Sequence, residues 1–299
     1  MSISSANYRD PGTASQLKLL VARIVASEKA GRLIGALSGN RIRHHGLWFD
    51  VRSSDFSPQV RAQMFWGGYE SAETRMICGF LRGSTTVVEL GSSLGVTSAH
   101  IAALMAPAGH LVCVEANPQL LPGLRERLAP RTASLRVDFV HAAVTSHCGH
   151  TVLTVSPKTV SSRLGAGRLD EVAVGVPALT LREILQRTGI SDFDLVSDIE
   201  GAESAFLLQD PEVLRGCHRA IIEMHSTAVD GRAVSVSDLL DAAAAEGLQV
   251  VGRHGPVVAL VRPRLFGPRP SDRHIRAASF IVRANSAGPN LADRSAPPR

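Results

Sequence analysis

The amino-acid sequence predicts an α/β fold with a doubly wound, mostly parallel sheet, helices on both faces and a helical N-terminal extension. One observation is size: 299 residues with 44% hydrophobic and 20% charged side chains are enough to bury a sizeable core. The other is pattern, because short apolar runs alternate with segments of helical spacing from Ser71 onward. Such alternation is typical of βαβ units, whose strands lie parallel in one sheet.

The N-terminal extension, residues 1–66, is predicted to contain a helix and a strand. Residues 13–16 fit a capping box, and apolar residues follow at helical spacing up to Val25. A basic patch at residues 41–45 then precedes a strand-like run at residues 47–51. The patch is interpreted either as a solvated basic turn or as an anion-binding edge.

The main domain is predicted to span residues 67–284 and to begin with two pairs of a strand and a helix. The strands cover residues 86–90 and 111–115, and the helices cover residues 96–105 and 119–128. The later elements are predicted as strands at 139–144, 151–155, 193–199 and 220–224, and as helices that begin near Thr180, Ala202, Asp210 and Ser235. Three runs, at 248–251, 257–261 and 279–282, compete for the last places in the sheet. Residues 285–299 are predicted to form a disordered tail.

Composition and cysteine spacing narrow the class of protein. The formal charge of +5 is modest for this length, and 4% aromatic residues offer few side chains for base stacking, so nucleic acid is not the expected partner. No run of 18 apolar residues indicates a membrane span, and the charged first thirty residues do not fit a signal peptide. The cysteines form no CxxC pair and are predicted to be free, mostly buried thiols. These features predict a cytoplasmic location.

The turn after the first predicted strand is the strongest candidate site. Residues 89–95 read ELGSSLG, and Gly91 and Gly95 allow the backbone to approach a ligand closely. The spacing differs from GxGxxG, and Glu89 stands two residues before the first glycine. A carboxylate there suits a ligand with an ammonium and a sulfonium, such as S-adenosylmethionine, better than a pyrophosphate. Ser92 belongs to the same predicted cofactor turn.

Glu115 ends the second predicted strand, where doubly wound proteins place the acid that binds ribose hydroxyls. Ala142 and Ala143, at the end of the next strand-like run, complete the predicted cofactor set on this side. The structural alternative is that Gly91 and Gly95 only permit tight packing between strand and helix. In that alternative Glu115 is a solvated strand end.

Four segments between Gly67 and Met224 match the pattern of one known family. They are Tyr69-Glu70 with Glu73, the ELGSSLG turn with Glu115, residues 180–185, and residues 194–203, which read DLVSDIEGAE. On these residues the chain resembles the FkbM family of S-adenosylmethionine-dependent methyltransferases. The family usually shows Lys-x-Asp-x-Glu-Gly-x-Glu at the end of the fourth strand, and here Ser197 is interpreted as the replacement of that lysine. Residues 160–162 resemble the family's serine-containing loop more weakly.

The resemblance implies a class I, Rossmann-like methyltransferase fold. It also implies S-adenosylmethionine as cofactor and methyl transfer to a hydroxyl of a sugar, a glycan or a small metabolite. A hydroxyl acceptor must lose its proton, and Asp198, Glu200 and His225 are the candidate catalytic residues. Asp198 ranks first among them. The structural alternatives are that Glu200 holds a helix N-terminus and that His225 makes an ordinary hydrogen bond at a strand end.

Glu70 and Glu73 precede the first strand, where their carboxylates could meet the cofactor's ammonium group, or could simply line a surface helix. No metal site is assigned. Residues 147–150 lack a fourth ligand nearby, and a divalent ion held by Asp198 with Glu223 or His225 is conceivable without being predicted. Two other functions stay open: a methyltransferase-like scaffold without turnover, and methylation of nitrogen or RNA, although no Asn-Pro-Pro-Tyr-like segment is present.

Overall fold

The computed structural model describes residues 27–131, 133–155, 162–164 and 172–263. The chain divides between Tyr69 and Glu70 into two compact units. The helix predicted before Val25, the strand-like run at 279–282 and the predicted tail all lie outside the described residues. Most of the serine-containing loop at 160–162 lies outside them too.

The first unit combines two helices with a hairpin. Helix α1 (Glu28–Leu37) is capped by Ser27, strands β1 (Arg41–His44) and β2 (Leu47–Asp50) pair antiparallel, and helix α2 (Pro58–Phe65) follows. The basic patch predicted as a turn or an edge is therefore mostly a strand. Its alternation exposes Arg41 and Arg43 and buries His44, which is the period expected of a half-buried strand.

The second unit is built on a sheet of seven strands. They are β3 (Thr86–Leu90), β4 (His110–Glu115), β5 (Arg136–His141), β10 (Phe193–Ser197), β11 (Cys217–Glu223), β14 (Gln249–His254) and β15 (Val257–Val261), and the order across the sheet is β14-β15-β11-β10-β3-β4-β5. Counted in chain order from the β5 edge, these strands run 3-2-1-4-5-7-6. This is the doubly wound order with one extra strand, β15, inserted antiparallel between β11 and β14. The predicted mostly parallel sheet is confirmed.

Six helices of the described chain belong to this unit. They are α3 (Ser71–Phe80), α4 (Val96–Leu104), α5 (Leu121–Leu128), α6 (Leu181–Thr188), α7 (Ser204–Leu207) and α8 (Val236–Ala245), with 3-10 turns at Ala129–Arg131 and Pro211–Gly216. The predicted cap at Thr180 is confirmed, and Ser235, which was predicted only as the start of a helix, is a cap too: each side chain accepts a hydrogen bond from the backbone of the first turn. Asp210 does not cap the following turn, because its carboxylate binds Arg182 instead.

A second, smaller sheet was only partly predicted. It contains β6 (Ala143–Val144), β7 (Gly149–Val155), β8 (Ser162–Leu164) and β9 (Val172–Leu179) in the order β6-β9-β7-β8. The run predicted as one strand at 139–144 is divided at Ala142 between β5 of the main sheet and β6 of this one. A short hairpin, β12 (Thr227–Val229) with β13 (Arg232–Val234), follows β11.

The cysteines were predicted to be free and mostly buried, and only the first part is confirmed. All four cysteines are free, but Cys113 and Cys217 are buried whereas Cys78 and Cys148 are exposed. No helix in the described part of the chain is long and apolar enough to cross a membrane.

A buried ion pair joins three elements of the second unit. Arg219 on β11 donates to both carboxylate oxygens of Asp194 on β10, at 3.0 and 2.6 Å, and to the carbonyl of Phe80 at 2.7 Å. Nη2, which donates to Oδ2 of Asp194, also donates to the hydroxyl of Ser84 at 2.9 Å. Both charged side chains are more than nine-tenths buried, so neither can turn to water if its partner is lost.

Replacing Arg219 by methionine should therefore destabilise the protein by about 3–5 kcal/mol, because Asp194 keeps its buried charge without a partner. Urea unfolding followed by circular dichroism measures this change. Arg215→Met, which removes an exposed pair with Glu212, is the control and should cost less than about 1 kcal/mol. Equal losses for the two variants would show that the buried pair has no special role.

Candidate active site

The turn after β3 packs directly against the end of β10. Gly91 has φ +85°, and a Cβ at this position would lie 2.0 Å from the carbonyl oxygen of Asp198. The backbone N–H of Asp198 also donates to Leu90 at 3.1 Å. Gly91 is thus required by the packing of two turns, which is the structural alternative. Close approach of a ligand to Gly91 stays a prediction.

Glu89 is buried beneath this turn and organises it. Ser92 donates to one carboxylate oxygen at 2.8 Å, Thr97 donates to the other at 2.7 Å, and Ser98 also hydrogen bonds to the carboxylate. Burial raises the pKa of Glu89, and the three hydroxyls oppose that rise. Its oxygens therefore hold the first turn of α4 to β3. Direct contact between Glu89 and a cofactor cation stays a prediction.

Glu115 lies beside the same turn at the end of β4. It accepts hydrogen bonds from the backbone N–H groups of Ser93 at 2.7 Å and Asn117 at 2.6 Å. Burial raises the pKa of the Glu115 carboxyl, and these N–H groups counteract the rise. Glu115 is 6% exposed, so it is a held and oriented acid, unlike the solvated strand end of the structural alternative.

The remaining predicted cofactor residues fall around this edge of the sheet. Gly95, with φ +72°, begins helix α4, and a Cβ there would lie 2.6 Å from a methyl group of Leu124. Ala142, between β5 and β6, and Ala143, the first residue of β6, are both buried. Glu70 precedes helix α3 and Glu73 lies in its first turn.

Five carboxylates surround one imidazole at the carboxyl ends of β10 and β11. This carboxylate cluster consists of Glu73, Asp198, Glu200, Glu203 and Glu223 with His225 among them. The sequence predicted four of its members as site residues: Glu73, Asp198, Glu200 and His225. Glu203 was visible only as the last acid of the DLVSDIEGAE segment. Glu223, inside the strand predicted at 220–224, was named only as a conceivable ligand of a divalent ion.

Contacts fix the orientation of the imidazole within the cluster. Nδ1 of His225 donates to Oε1 of Glu203 at 3.3 Å, while Nε2 lies 3.7 Å from Glu223 and 3.8 Å from Glu200. The Glu203 side chain is completely buried, and its Oε1 also accepts from the backbone of Ile199 at 3.2 Å. Glu203 therefore holds both the imidazole and the loop that follows Asp198.

The charges of the cluster shift one another's protonation. Burial raises the pKa of Asp198 to about 7, with a further contribution from Glu200. Burial together with the charge of Asp198 also raises the pKa of Glu223, which shares a hydrogen bond with Glu73. The hydrogen bond to Glu203 raises the pKa of His225 to about 9 against the effect of burial. At neutral pH the imidazole is therefore mostly protonated and Asp198 is partly ionised.

The interpretation that Ser197 replaces the family lysine is wrong by one position. When the pattern Lys-x-Asp is aligned on Asp198, Val196 occupies the lysine position and Ser197 the position between them. Both are buried in β10, at 4% and 2% exposure. The strand thus carries no cation at this point.

Comparison with known proteins assigns the family. The solved structures that it resembles include fibrillarin of Aeropyrum pernix with natively bound S-adenosylmethionine (12% identity, TM-score 0.36, covering 60% of this chain and 68% of that one). They also include precorrin-6y C5,15-methyltransferase of Geobacter metallireducens (14%, 0.38, 65% and 88%) and a methyltransferase of Geobacter sulfurreducens (13%, 0.34, 87% and 91%). No curated protein matches the chain. The family profile described as Methyltransferase FkbM domain matches residues 90–248, more than half of the sequence, and the chain therefore belongs to the FkbM family of S-adenosylmethionine-dependent methyltransferases.

Proposed function

We propose that this methyltransferase acts on a hydroxyl group of a sugar, a glycan or a small metabolite. The observation that carries the proposal is the contact between Gly91 and Asp198, which joins the cofactor turn to the carboxylate cluster. In doubly wound sheets ligands bind outside the carboxyl ends of the strands where the strand order reverses, here between β3 and β10. A methyl group presented at the turn thus meets groups that can accept a proton.

The proposed cofactor site uses the residues at the edge formed by β3, β4 and β5. Each oxygen of Glu115 accepts one backbone N–H, and a carboxylate has about four lone-pair sites, so acceptor capacity remains for ribose hydroxyls. Glu70 and Glu73 on the other side are proposed to meet the ammonium of the methionine part. Ala142 and Ala143 are proposed to line the cofactor site, where they present no charge.

In the proposed reaction the acceptor oxygen attacks the sulfonium methyl in line. The new O–C bond forms as the C–S bond breaks, the sulfur keeps the electron pair, and S-adenosylhomocysteine leaves uncharged at sulfur. The hydroxyl proton passes to a carboxylate, for which Asp198 is the best candidate because its pKa of about 7 matches neutral pH. His225, with its pKa near 9, holds a proton at neutral pH and so serves to balance the acids. We therefore propose Asp198, and not His225, as the base.

The cluster also separates the alternatives. Five carboxylates beside the reacting methyl would repel the phosphates of RNA, which supports a neutral hydroxyl acceptor over nucleic acid. A scaffold without turnover would bind S-adenosylmethionine and transfer no methyl group to any hydroxyl in a panel.

We further propose that residues 67–284 form the catalytic domain. We also propose a cytoplasmic location, which fractionation of cells that express the protein would test.

Substituting Gly91 by alanine should lower the affinity for S-adenosylmethionine at least about tenfold. Its Cβ would strike the Asp198 carbonyl in a backbone conformation that alanine resists, so the turn must move. Calorimetric titration of the cofactor measures the loss, and Gly175→Ala is the control because nothing lies within 4 Å of its added Cβ. Wild-type affinity in Gly91→Ala would contradict the placement of the cofactor at this turn.

Substituting Glu115 by alanine should weaken cofactor binding by about 10- to 100-fold, the value of one to two hydrogen bonds to a charged group. The variant also leaves Ser93 and Asn117 without their acceptor, so thermal unfolding must be recorded beside the titration. Glu126→Ala, an exposed glutamate on α5, serves as control. If affinity is unchanged while the variant stays folded, Glu115 does not bind the ribose.

Substituting Asp198 by asparagine should leave the cofactor affinity within about twofold and reduce turnover by about 10²- to 10⁴-fold, because the base is removed while the shape is kept. Formation of S-adenosylhomocysteine with a panel of hydroxyl acceptors measures turnover. The control is Asp241→Asn on the exposed side of α8. Turnover at the wild-type rate would exclude Asp198 from the chemistry.

A further inference from the structure

We infer that Asp198, Glu223 and His225 form a binding site for a divalent cation of the Mn²⁺ or Mg²⁺ class. As a binding site it stands on the geometry alone, and its role in catalysis rests on the function proposed above. The sequence assigned no metal to the protein. The three residues come from the ends of the neighbouring strands β10 and β11, which the sheet brings side by side.

Their spacing suits one ion. One potential ligand atom from each of the three side chains lies within 4.8 Å of the other two. Two ligands of a single ion with bonds of about 2.1–2.4 Å cannot be more than about 4.2–4.8 Å apart, so the observed spacing is within reach of one centre. All three side chains are partly exposed, which leaves coordination positions open to water or to an acceptor oxygen.

The imidazole is oriented as a metal ligand requires. Metal-binding histidines generally donate the second ring N–H to a carboxylate or carbonyl, which fixes the ring and leaves the other nitrogen free to coordinate. Glu203 does this for Nδ1 of His225, and Nε2 then faces Glu223. Burying the charged side chain of Glu203 completely costs desolvation free energy. That cost has a function if Glu203 must hold the partly exposed ring of His225 in the orientation that a bound ion requires.

Unsatisfied oxygen atoms point to a missing cation independently of that geometry. Oδ1 of Asp198 and Oε2 of Glu203 are buried and have no hydrogen-bond partner among the described residues. The other oxygen of Glu203, Oε1, bonds to His225, so this carboxylate lies within the cluster. An unpaired buried carboxylate oxygen costs free energy that a bound cation would recover, directly for Asp198 and through the field of the ion for Glu203.

The charge of the cluster selects the class of ion. Two carboxylate ligands balance a charge of +2 once His225 has released its Nε2 proton to bind the ion, and three further acids, Glu73, Glu200 and Glu203, lie around them. Carboxylate and water oxygens suit Mg²⁺ and Mn²⁺, and the single imidazole favours Mn²⁺ over Mg²⁺. Held here, the ion would take the acceptor's hydroxyl oxygen as a ligand next to the Gly91 turn and lower the pKa of that hydroxyl. In the metal-bound protein Asp198 would then hold the ion instead of serving as the free base proposed above.

The test is titration of the full-length protein with Mn²⁺ after removal of metals by a chelator, with no cofactor or acceptor present. Loss of the electron paramagnetic resonance signal of free Mn²⁺ reports binding, and we expect one saturable site per chain that Mg²⁺ displaces. Asp198→Asn and Glu223→Gln should each weaken the binding at least about tenfold. Glu203→Gln, which loosens the imidazole without removing a ligand, should weaken it by about 10- to 100-fold as well.

Asp241→Asn is the matched control and should bind Mn²⁺ like the wild type. Circular dichroism shows whether each variant is folded, and because the three test substitutions are isosteric and separate, the inference stays testable if one of them fails to fold. Absence of a saturable site below about 1 mM, or equal binding by wild type and Asp198→Asn, would overturn the inference. If Zn²⁺ added to the metal-free protein is not displaced by millimolar Mg²⁺ or Mn²⁺, the assigned class of ion is wrong.

The outcomes separate this inference from the proposed function. Saturable Mn²⁺ binding without transfer to any hydroxyl would support the cation site and contradict the hydroxyl methyltransferase. Transfer that continues at full rate in excess chelator, in a protein that binds no Mn²⁺, would support the methyltransferase and contradict the cation site.

Discussion

The absence of a side chain at Gly91 is the constraint on which the candidate site depends. The space that a Cβ would fill is occupied by the carbonyl oxygen of Asp198, 2.0 Å from the ideal Cβ position. This contact lies between β3 and β10, where the strand order of the sheet reverses. Because the two turns touch there, the residues that order the glycine turn and those that form the carboxylate cluster share one rigid edge. The proposed cofactor turn and the proposed acceptor site are therefore joined by backbone packing, whatever part that packing plays in catalysis.

Electrostatics adds a second constraint that the overall charge hides. The chain has a net charge of +5, yet its candidate site gathers five carboxylates around His225. Such a cluster is stable only if protons or cations are taken up, and the raised pKa values of Asp198 and Glu223 are the proton response to that need. A bound sulfonium cation or a bound divalent ion would also neutralise part of this negative charge. The site is therefore complementary to positive charge.

Most local signals in the sequence predicted their elements, although Asp210 does not form its predicted cap, whereas long-range strand pairing was not predicted. Strand β3 and the caps of α6 and α8 were predictable because each depends on residues within one turn or one strand. Strand β9, and the division of a predicted strand at Ala142, depend on pairing between distant segments that no local pattern records. At the site, Asp198 stood out by its motif, whereas the role of Glu203 depends on a contact with His225, 22 residues away. The packing that requires glycine at position 91 likewise depends on a distant residue, Asp198.

Val196 shows how one apolar residue changes the demands on the rest of the site. Side chains two residues apart on a strand lie on the same face, so a lysine at position 196 would share its face with Asp198. Valine removes that internal cation and leaves His225 as the positive group that contacts Glu203, Glu223 and Glu200. One imidazolium cannot balance five acids, so within the described part of the chain the remaining negative charge is met by protons on Asp198 and Glu223 or by a bound cation. A methyltransferase with this strand is therefore more dependent on the charge of what it binds than one that carries its own lysine.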